Sequence, residues 1–272
     1  MKSLFFCFLA LIITLASAYY QRRTGPTHPQ CGKATFGERG FTYCLPRSHA
    51  GETDAAVTIP VEDTGIVGEV SYRRFKSADP WTTVTMTRQG KQLTATLPHQ
   101  PPAGKLLYQI TLTAPGSAPA TLTREPVVMR FKGSVPWGFL VPHIVFMFTA
   151  MLLSTRAGLE ALTRGRAVST MTWWTLTLLF FGGLILGPIV QKYAFGSFWT
   201  GWPYGWDLTD NKTLIAFLVW LAAALLLRRP RARNIGVAAA AVILLAVYLI
   251  PHSVLGSEID YTQLPATTTG TP

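Results

Sequence analysis

Short runs of alternating apolar and polar residues cover residues 54–134, and long apolar stretches begin at about residue 135. The first region contains AAVTIPV, GEVSYRRF and LLYQITLTA, separated by Gly, Pro and Asp. Alternation with a period of two, interrupted by turn residues, predicts short antiparallel strands. We therefore expect a small β-sandwich of immunoglobulin or fibronectin type III character, although no Cys-Trp-Cys spacing supports a true immunoglobulin domain.

The second region predicts an all-α transmembrane domain of four helices over residues 135–256. Its apolar stretches lie at about 137–155, 171–190, 213–227 and 235–251. A helix needs about 20 residues to cross a bilayer, so the last two stretches are short. We expect these two helices to extend into the flanking residues.

The N-terminal stretch, residues 1–18, has one lysine, an apolar run and the ending Ala-Ser-Ala. This pattern is typical of a secretory signal peptide cleaved after Ala18. An uncleaved anchor helix is the alternative, and the apolar run is shorter than the about 20 residues expected of one. Both interpretations place the chain from Tyr19 onward outside the cytoplasm.

Three cysteines are present, and the signal peptide would remove Cys7. Cys31 and Cys44 remain within the N-terminal segment, residues 19–53. In an oxidising compartment an even pair predicts a disulfide. A metal site is the alternative, but no CxxC motif supports it.

The formal net charge of +11 does not indicate a nucleic-acid partner, because many of the arginines lie in two short loops between apolar stretches. Basic residues concentrate in the loops that stay in the cytoplasm. The sequence thus predicts a bacterial-type inner membrane protein, with the sandwich and a flexible tail, residues 257–272, on the outer side. Seven arginines occupy the two predicted inner loops: Arg156, Arg164, Arg166, Arg228, Arg229, Arg231 and Arg233.

The predicted membrane domain has two histidines, His143 and His252, and each directly follows a proline. Both are expected near the outer face, on the first and the fourth span. Ionisable groups at membrane depth usually face a bundle interior or a cavity. Either histidine taken alone also fits an interfacial residue hydrogen-bonded to a headgroup or a carbonyl.

Between the second and third spans lies a segment rich in tryptophan, FGSFWTGWPYGWDLTDNKT. Imidazole is a common axial ligand of haem iron, and a flat macrocycle packs well on aromatic faces. We therefore predict a haem b site with His143 and His252 as axial ligands. An aromatic belt at the membrane interface is the alternative. The predicted ring platform is Trp199, Trp202 and Trp206, with Lys192 and Lys212 near the propionates and with Asp207 and Asp210 organising the loop or capping the third span.

The same segment resembles the tryptophan-rich WWD segment of the haem-handling membrane proteins of cytochrome c biogenesis. Gly196, Trp199, Trp206 and Asp207 match that pattern, whereas TGWPYG separates the two tryptophans and DLTDNKT replaces the D-P-x-E-T portion. In that family two outer-facing histidines flank the segment and bind haem, and His143 and His252 occupy those places. The resemblance implies haem b held at the outer face, near an exported apocytochrome.

Two other function classes remain open. An accessory subunit of a membrane complex of respiratory type would use the aromatic loop and the sandwich as protein contacts, without a cofactor. A metal-dependent enzyme or assembly factor would use His143, His252, Glu258 and Asp260. Met147 is an alternative soft ligand, although a core methionine is the simpler interpretation. Since the chain contains no GxSxG, HExxH or phosphate-loop motif, we do not predict a specific enzyme class.

Overall fold

The computed structural model describes residues 2–36, 39–252, 254 and 256–263. The chain forms two compact units. The helical unit consists of the N-terminal segment to Pro26 together with Val135–Ser257, and the β unit consists of Thr27–Ser134 together with the segment that begins at Glu258. The β-sheets therefore precede the helices of Val135–Ser257 in the chain, as the sequence predicts.

The described part of the β unit has three sheets. One has six strands in the order β3-β11-β9-β5-β6, with β10 paired to β9, and another has the order β4-β8-β7. The third is the hairpin β1-β2. The strands are Gln30–Phe36 (β1), Arg39–Leu45 (β2), Ser48–Ala50 (β3), Ala55–Pro60 (β4), Val67–Arg74 (β5), Thr82–Thr85 (β6), Thr87–Gln89 (β7), Gln92–Leu97 (β8), Lys105–Thr113 (β9), Ala120–Thr121 (β10) and Val127–Lys132 (β11).

Alternating residues of these strands form one core. On β4, Val57 and Ile59 are fully buried and the residues between them are more exposed; on β9, Ile110 and Leu112 enter the same core. Every second side chain of a strand lies on the same face, so the apolar residues of the alternating pattern are the ones buried in the core. Both larger sheets contribute to this core.

The predicted disulfide is present. Cys31 of β1 and Cys44 of β2 are directly opposite partners in the hairpin, and their sulfur atoms are bonded. The bond holds the two strands together in a hairpin whose side chains reach the β-unit core at Tyr43 and Leu45.

Within the described residues, the helical unit has five helices that are long and apolar enough to cross a membrane. Four correspond to the predicted spans, and the last two begin about five residues earlier than predicted, as their short apolar stretches required. The helices are Lys2–Thr24 (α1), Trp137–Leu162 (α2), Val168–Leu179 (α3), Gly187–Phe195 (α4), Leu208–Leu225 (α5) and Pro230–Leu249 (α6). A π-helical segment, Phe180–Leu186, joins α3 to α4 as one continuous span.

The fifth apolar helix, α1, differs from the expectation for the N-terminal stretch. It has 23 residues and packs against α2 and α6. The amide of Gln21 donates to the carbonyl of Tyr248 at 2.7 Å. The helix continues past Ala18 because no helix-breaking residue occurs before Gly25 and Pro26. The expectation that this stretch is too short to span a bilayer is therefore wrong, whereas cleavage after Ala18 stays a prediction.

Arg156 was predicted to lie in an inner loop, but it lies within α2 and is only 3% exposed. Its guanidinium pairs with the carboxylate of Glu160, one helical turn further on, and donates to the hydroxyl of Ser3. A paired arginine can be buried where an unpaired charge could not. The helix thus continues to Leu162, and the loop that follows contains Arg164 and Arg166.

The predicted flexible tail is partly ordered on the β unit. Tyr261 is 4% exposed and its hydroxyl donates to the side chain of Gln100. Glu258 forms ion pairs with Lys76 and Lys105, and the backbone amide of Ile259 donates to the carbonyl of Ala103. These contacts involve residues 258–263, and the rest of the predicted tail lies outside the described residues.

Candidate functional site: two histidines and the tryptophan-rich loop

His143 lies on the first predicted span, α2, beside the π-helical segment. Its Nδ1 atom is 2.8 Å from the carbonyl oxygen of Gly182. The backbone N–H of Gly187 donates to the same oxygen, five residues along, which is the hydrogen bond that defines a π-helix. A carbonyl oxygen can only accept, so Nδ1 of His143 carries the hydrogen.

Glycines make this close approach possible. A β-carbon on Gly182 would lie 2.8 Å from the Cβ atom of Phe146 and 3.1 Å from the sulfur of Met147. A β-carbon on Gly183 would lie 2.7 Å from the methyl group of Thr213. The two glycines in the sequence FFGG therefore allow the π-helical segment to contact α2 on one side and α5 on the other.

His252 lies in a turn just after α6. Its side chain keeps an exposed surface although protein atoms crowd it. This crowding lowers the pKa of its imidazole to about 4, and the charges of Lys212 and His143 act in the same direction.

Lys212 connects the start of α5 to the end of α6. Its ammonium group donates to the carbonyl of Ile250 at 2.8 Å, and the residue is 5% exposed. Ile250 ends α6 with an extended backbone, so its carbonyl has no partner within the helix. The contact places one buried positive charge next to the turn that contains His252.

Asp207 organises the tryptophan-rich loop, as predicted. One carboxylate oxygen accepts from the backbone N–H of Thr209 at 2.8 Å and thereby caps α5. The other accepts from the backbone N–H and the hydroxyl of Ser257, both at 2.8 Å, and from the hydroxyl of Thr200 at 3.2 Å. Asp207 therefore joins the loop, the start of α5 and the segment after α6.

Asp210 holds the opposite side of the loop. Its Oδ2 atom accepts from the backbone N–H groups of Thr200 at 2.6 Å and Gly201 at 3.0 Å, and from the amide of Gln191 at 3.0 Å. A β-carbon on Gly201 would lie 2.6 Å from the Cβ atom of Asp210, so this approach requires glycine. The carboxylate thus connects α4, the loop and α5.

With the backbone held in this way, the large rings of the loop point outward. Trp202 is 62% exposed, Tyr204 83% and Trp206 85%. The third tryptophan of the predicted platform, Trp199, is half-buried, and its indole N–H donates to the carbonyl of Trp202 at 3.1 Å. Trp202 and Trp206 therefore present open ring faces, whereas Trp199 supports the turn of the loop.

The structure does not assemble the alternative metal site. Glu258 belongs to the β unit, where two lysines pair with it, and a carboxylate oxygen of Asp260 accepts from Thr262. Over the described ranges, no cluster of three or more His, Cys, Asp or Glu side chains is arranged to hold a metal ion. Met147 packs against the bundle core, which favours its structural interpretation.

Sequence reasoning missed three contributors to this region: Gly182, Ser257 and the lysine-to-carbonyl contact of Lys212. The adjacent glycines at 182 and 183 were a usable signal, because paired glycines within an apolar helix often mark a close approach. Nothing in the pattern around Ser257 indicated its contact with Asp207, since the two residues are fifty positions apart.

No protein-family model, curated protein or solved structure matches this chain.

Proposed function

We propose that this protein binds haem b between His143 and His252 at the outer face of the membrane and handles haem for cytochrome c assembly. The observation that carries the proposal is the hydrogen bond from Nδ1 of His143 to the carbonyl of Gly182. Histidines that bind metals usually donate their second ring N–H to a carbonyl or carboxylate, which sets the tautomer and the ring orientation.

His143 meets this requirement without any rearrangement. Because Nδ1 holds the hydrogen, Nε2 of the neutral ring keeps its lone pair. The contact with the π-helical segment also restricts rotation of the imidazole. Short π-helical segments inside α-helices occur frequently at functional sites. Nε2 of His143 is therefore a suitable axial ligand, positioned by its own backbone partner.

His252 is the proposed second ligand. Its low pKa keeps the ring neutral at physiological pH, the form that binds iron. The buried ammonium group of Lys212 donates to the carbonyl of Ile250, two residues before His252, and would pair with a propionate. When bound, haem would supply a redox-active iron whose potential depends on its axial ligands.

The loop supplies the aromatic surface that the proposal requires. Trp202 and Trp206 are largely exposed, and the hydrogen bonds of Asp207 and Asp210 hold the backbone that carries them. Because the backbone of the loop is already held, stacking of a flat ligand on these side chains would cost less conformational entropy than on a mobile loop. The loop therefore combines a rigid backbone with available ring faces.

The contacts of the C-terminal segment support the proposed orientation. Residues 258–263 pack on the β unit, which fits a topology with both ends of the chain section from Val135 to Ser257 on the same side of the membrane. The four apolar spans of that section meet this condition. With arginines at the opposite helix ends, the β unit and the tryptophan-rich loop lie outside the cytoplasm.

For the β unit we propose an immunoglobulin or fibronectin type III-like sandwich that recruits an exported partner protein, such as an apocytochrome. The neighbours β5, β9 and β11 follow the order of strands C, F and G in that fold, and β4 and β8 belong to the facing sheet. Sandwiches of this type commonly serve as binding modules at cell surfaces.

An absorption spectrum tests the haem proposal. The protein would be expressed with ample haem, purified in detergent, and measured oxidised and dithionite-reduced. We expect a sharp low-spin haem b spectrum that is lost, or becomes high-spin, in His143→Ala and in His252→Ala. His99→Ala, in the β unit, is the matched control and should keep the spectrum of the unmodified protein. Absence of a Soret band in the unmodified protein would reject the proposal.

A second candidate, an accessory subunit of a respiratory-type membrane complex, is favoured by the exposure of Trp202, Tyr204 and Trp206. Exposed tryptophan and tyrosine side chains are common anchors of protein interfaces. The double variant Trp202→Ala/Trp206→Ala would then remove the protein from a larger complex on native gels without changing its thermal unfolding. Soret absorbance in the unmodified protein would argue against this candidate.

A further inference from the structure

At the arginine-rich ends of α2 and α6, the helical unit has a groove with a volume of about 950 Å³. Arg164 of the loop after α2 lines it, together with Arg231 and Arg233 of the first turn of α6. The walls further along are apolar and include Ala239, Val242 and Ile243. One end of the groove is therefore basic, and the rest of the groove is lined by apolar residues.

The basic end has an excess of positive charge. In the part of the chain that the structure describes, none of the ion pairs involves these three arginines. Glu160, the acidic side chain near the end of α2, pairs with Arg156. Arg164 adopts a left-handed backbone conformation (φ 55°), which is costly for a residue other than glycine, and this conformation ends the helix beside the groove.

The dimensions of the groove match one acyl chain in one leaflet. From Arg231 to Ile243 the helix rises about 18 Å at 1.5 Å per residue. Half of the hydrocarbon thickness of a bilayer is about 15 Å. A ligand with its anionic group at the arginines would thus reach from the membrane surface to about the mid-plane.

We propose that this groove binds an acidic phospholipid, with the phosphate at Arg164, Arg231 and Arg233 and an acyl chain along the apolar wall of α6. Arginine binds phosphate through paired, charge-assisted hydrogen bonds. Basic pockets between membrane helices on the cytoplasmic side are suited to anionic headgroups. This inference does not depend on haem binding, because it concerns the opposite helix ends.

Native mass spectrometry of the full-length protein in detergent tests the proposal. Phosphatidylglycerol and phosphatidylcholine with identical acyl chains would be titrated separately, and the bound adducts counted. We expect one saturable phosphatidylglycerol adduct and weaker binding of phosphatidylcholine. In Arg231→Gln/Arg233→Gln the affinity for phosphatidylglycerol should fall about 30-fold, since each basic group near a membrane surface contributes about one factor of five.

The matched control is Arg228→Gln/Arg229→Gln. It removes the same charge from the same region, but these two arginines do not line the groove. We expect its phosphatidylglycerol affinity to stay within about twofold. If both double variants lose the same affinity for phosphatidylglycerol, the binding reflects nonspecific charge attraction and the proposal is overturned.

A third variant, Ala239→Trp, separates a lipid site from a phosphate site. The indole would fill the apolar part of the groove and leave the arginines in place, so binding of phosphatidylglycerol should be lost. Inorganic phosphate that binds the unmodified protein and displaces the lipid at similar concentration would show a free-phosphate site and overturn the proposal. Unchanged thermal unfolding of all variants would show that the losses do not arise from misfolding.

Discussion

The imidazole of His143 donates to the carbonyl of Gly182 across the contact between α2 and the π-helical segment, at 2.8 Å. The same carbonyl accepts the π-type bond from Gly187, so one oxygen joins the irregular turn of one helix to a side chain of another. The tautomer of His143 is therefore set by backbone geometry, and that geometry depends on the absence of a side chain at position 182.

Replacing Gly182 by Ala should destabilise the helical unit. The new methyl group would overlap Phe146 at 2.8 Å and Met147 at 3.1 Å, and both belong to the facing helix. Overpacking of this kind costs about 1–3 kcal/mol. Thermal unfolding in detergent measures the loss. Gly138→Ala on the same facing helix is the control, because its β-carbon would meet nothing within 4 Å. Equal or higher stability of Gly182→Ala would contradict the contact.

Removal of the Asp207 carboxylate should release the loop and the segment after α6. Asp207→Ala loses the cap of α5, worth about 1 kcal/mol, and leaves the two donors of Ser257 without their acceptor. We expect a total loss of about 2–4 kcal/mol in the free energy of unfolding.

Asp207→Asn separates the two roles of that carboxylate. An asparagine oxygen can still cap α5, but its amide group would face the donors of Ser257. The free energy of unfolding of Asp207→Asn should therefore lie between that of the native protein and that of Asp207→Ala. Chemical denaturation measures all three, and equal losses for Ala and Asn would assign the whole effect to Ser257.

The attachment of the C-terminal segment should weaken in acid. Burial raises the pKa of Glu258, but hydrogen bonds and charges from Lys105 and Lys76 outweigh this and hold the pKa below its usual range. Because the folded pKa is lower than the unfolded one, the stabilisation is present above about pH 4.3 and is lost as the pH falls through the folded pKa. The measurement is hydrogen exchange of the Ile259 amide, corrected for its intrinsic rate, and its protection should fall as the segment detaches.

At neutral pH, Glu258→Gln should produce the same loss. The variant leaves the buried ammonium group of Lys105 without its charged partner, at a cost of about 1–3 kcal/mol. The control is Glu62→Gln, whose pair with Lys91 is largely exposed and should contribute about 0–1 kcal/mol. If the Ile259 amide keeps its protection in Glu258→Gln, the ion pairs do not hold the segment.

The topology predicts which residues a membrane-impermeant maleimide can label. In a Cys7→Ser background, which removes the free thiol, Gln263→Cys should react in intact cells because its segment packs on the β unit, which we propose lies outside the cytoplasm. Thr163→Cys, just after α2, should react only after permeabilisation. The reverse labelling pattern would refute the proposed orientation.

The spans and the disulfide could be predicted because local pattern determines them. An apolar stretch of membrane length has few alternatives to a helix in lipid, and two cysteines in a segment predicted to be exported have only each other as partners. Arg156 was misplaced because a charged residue normally ends a span, and its burial depends on Glu160 and Ser3. The order of residues 258–263 was not predicted for a similar reason, since it depends on Lys76 and Lys105.

By itself, the amino-acid sequence determined the β-then-helix order, the four main spans, the Cys31–Cys44 pair and the loop role of Asp207. These follow from residue periodicity, hydrophobicity and capping, which act over a few positions along the chain. Only the tertiary structure decided that Gly182 sets the tautomer of His143, that Lys212 meets Ile250 and that Ser257 meets Asp207. Each of these contacts joins residues 38 to 50 positions apart, so it depends on how helices pack rather than on any local pattern.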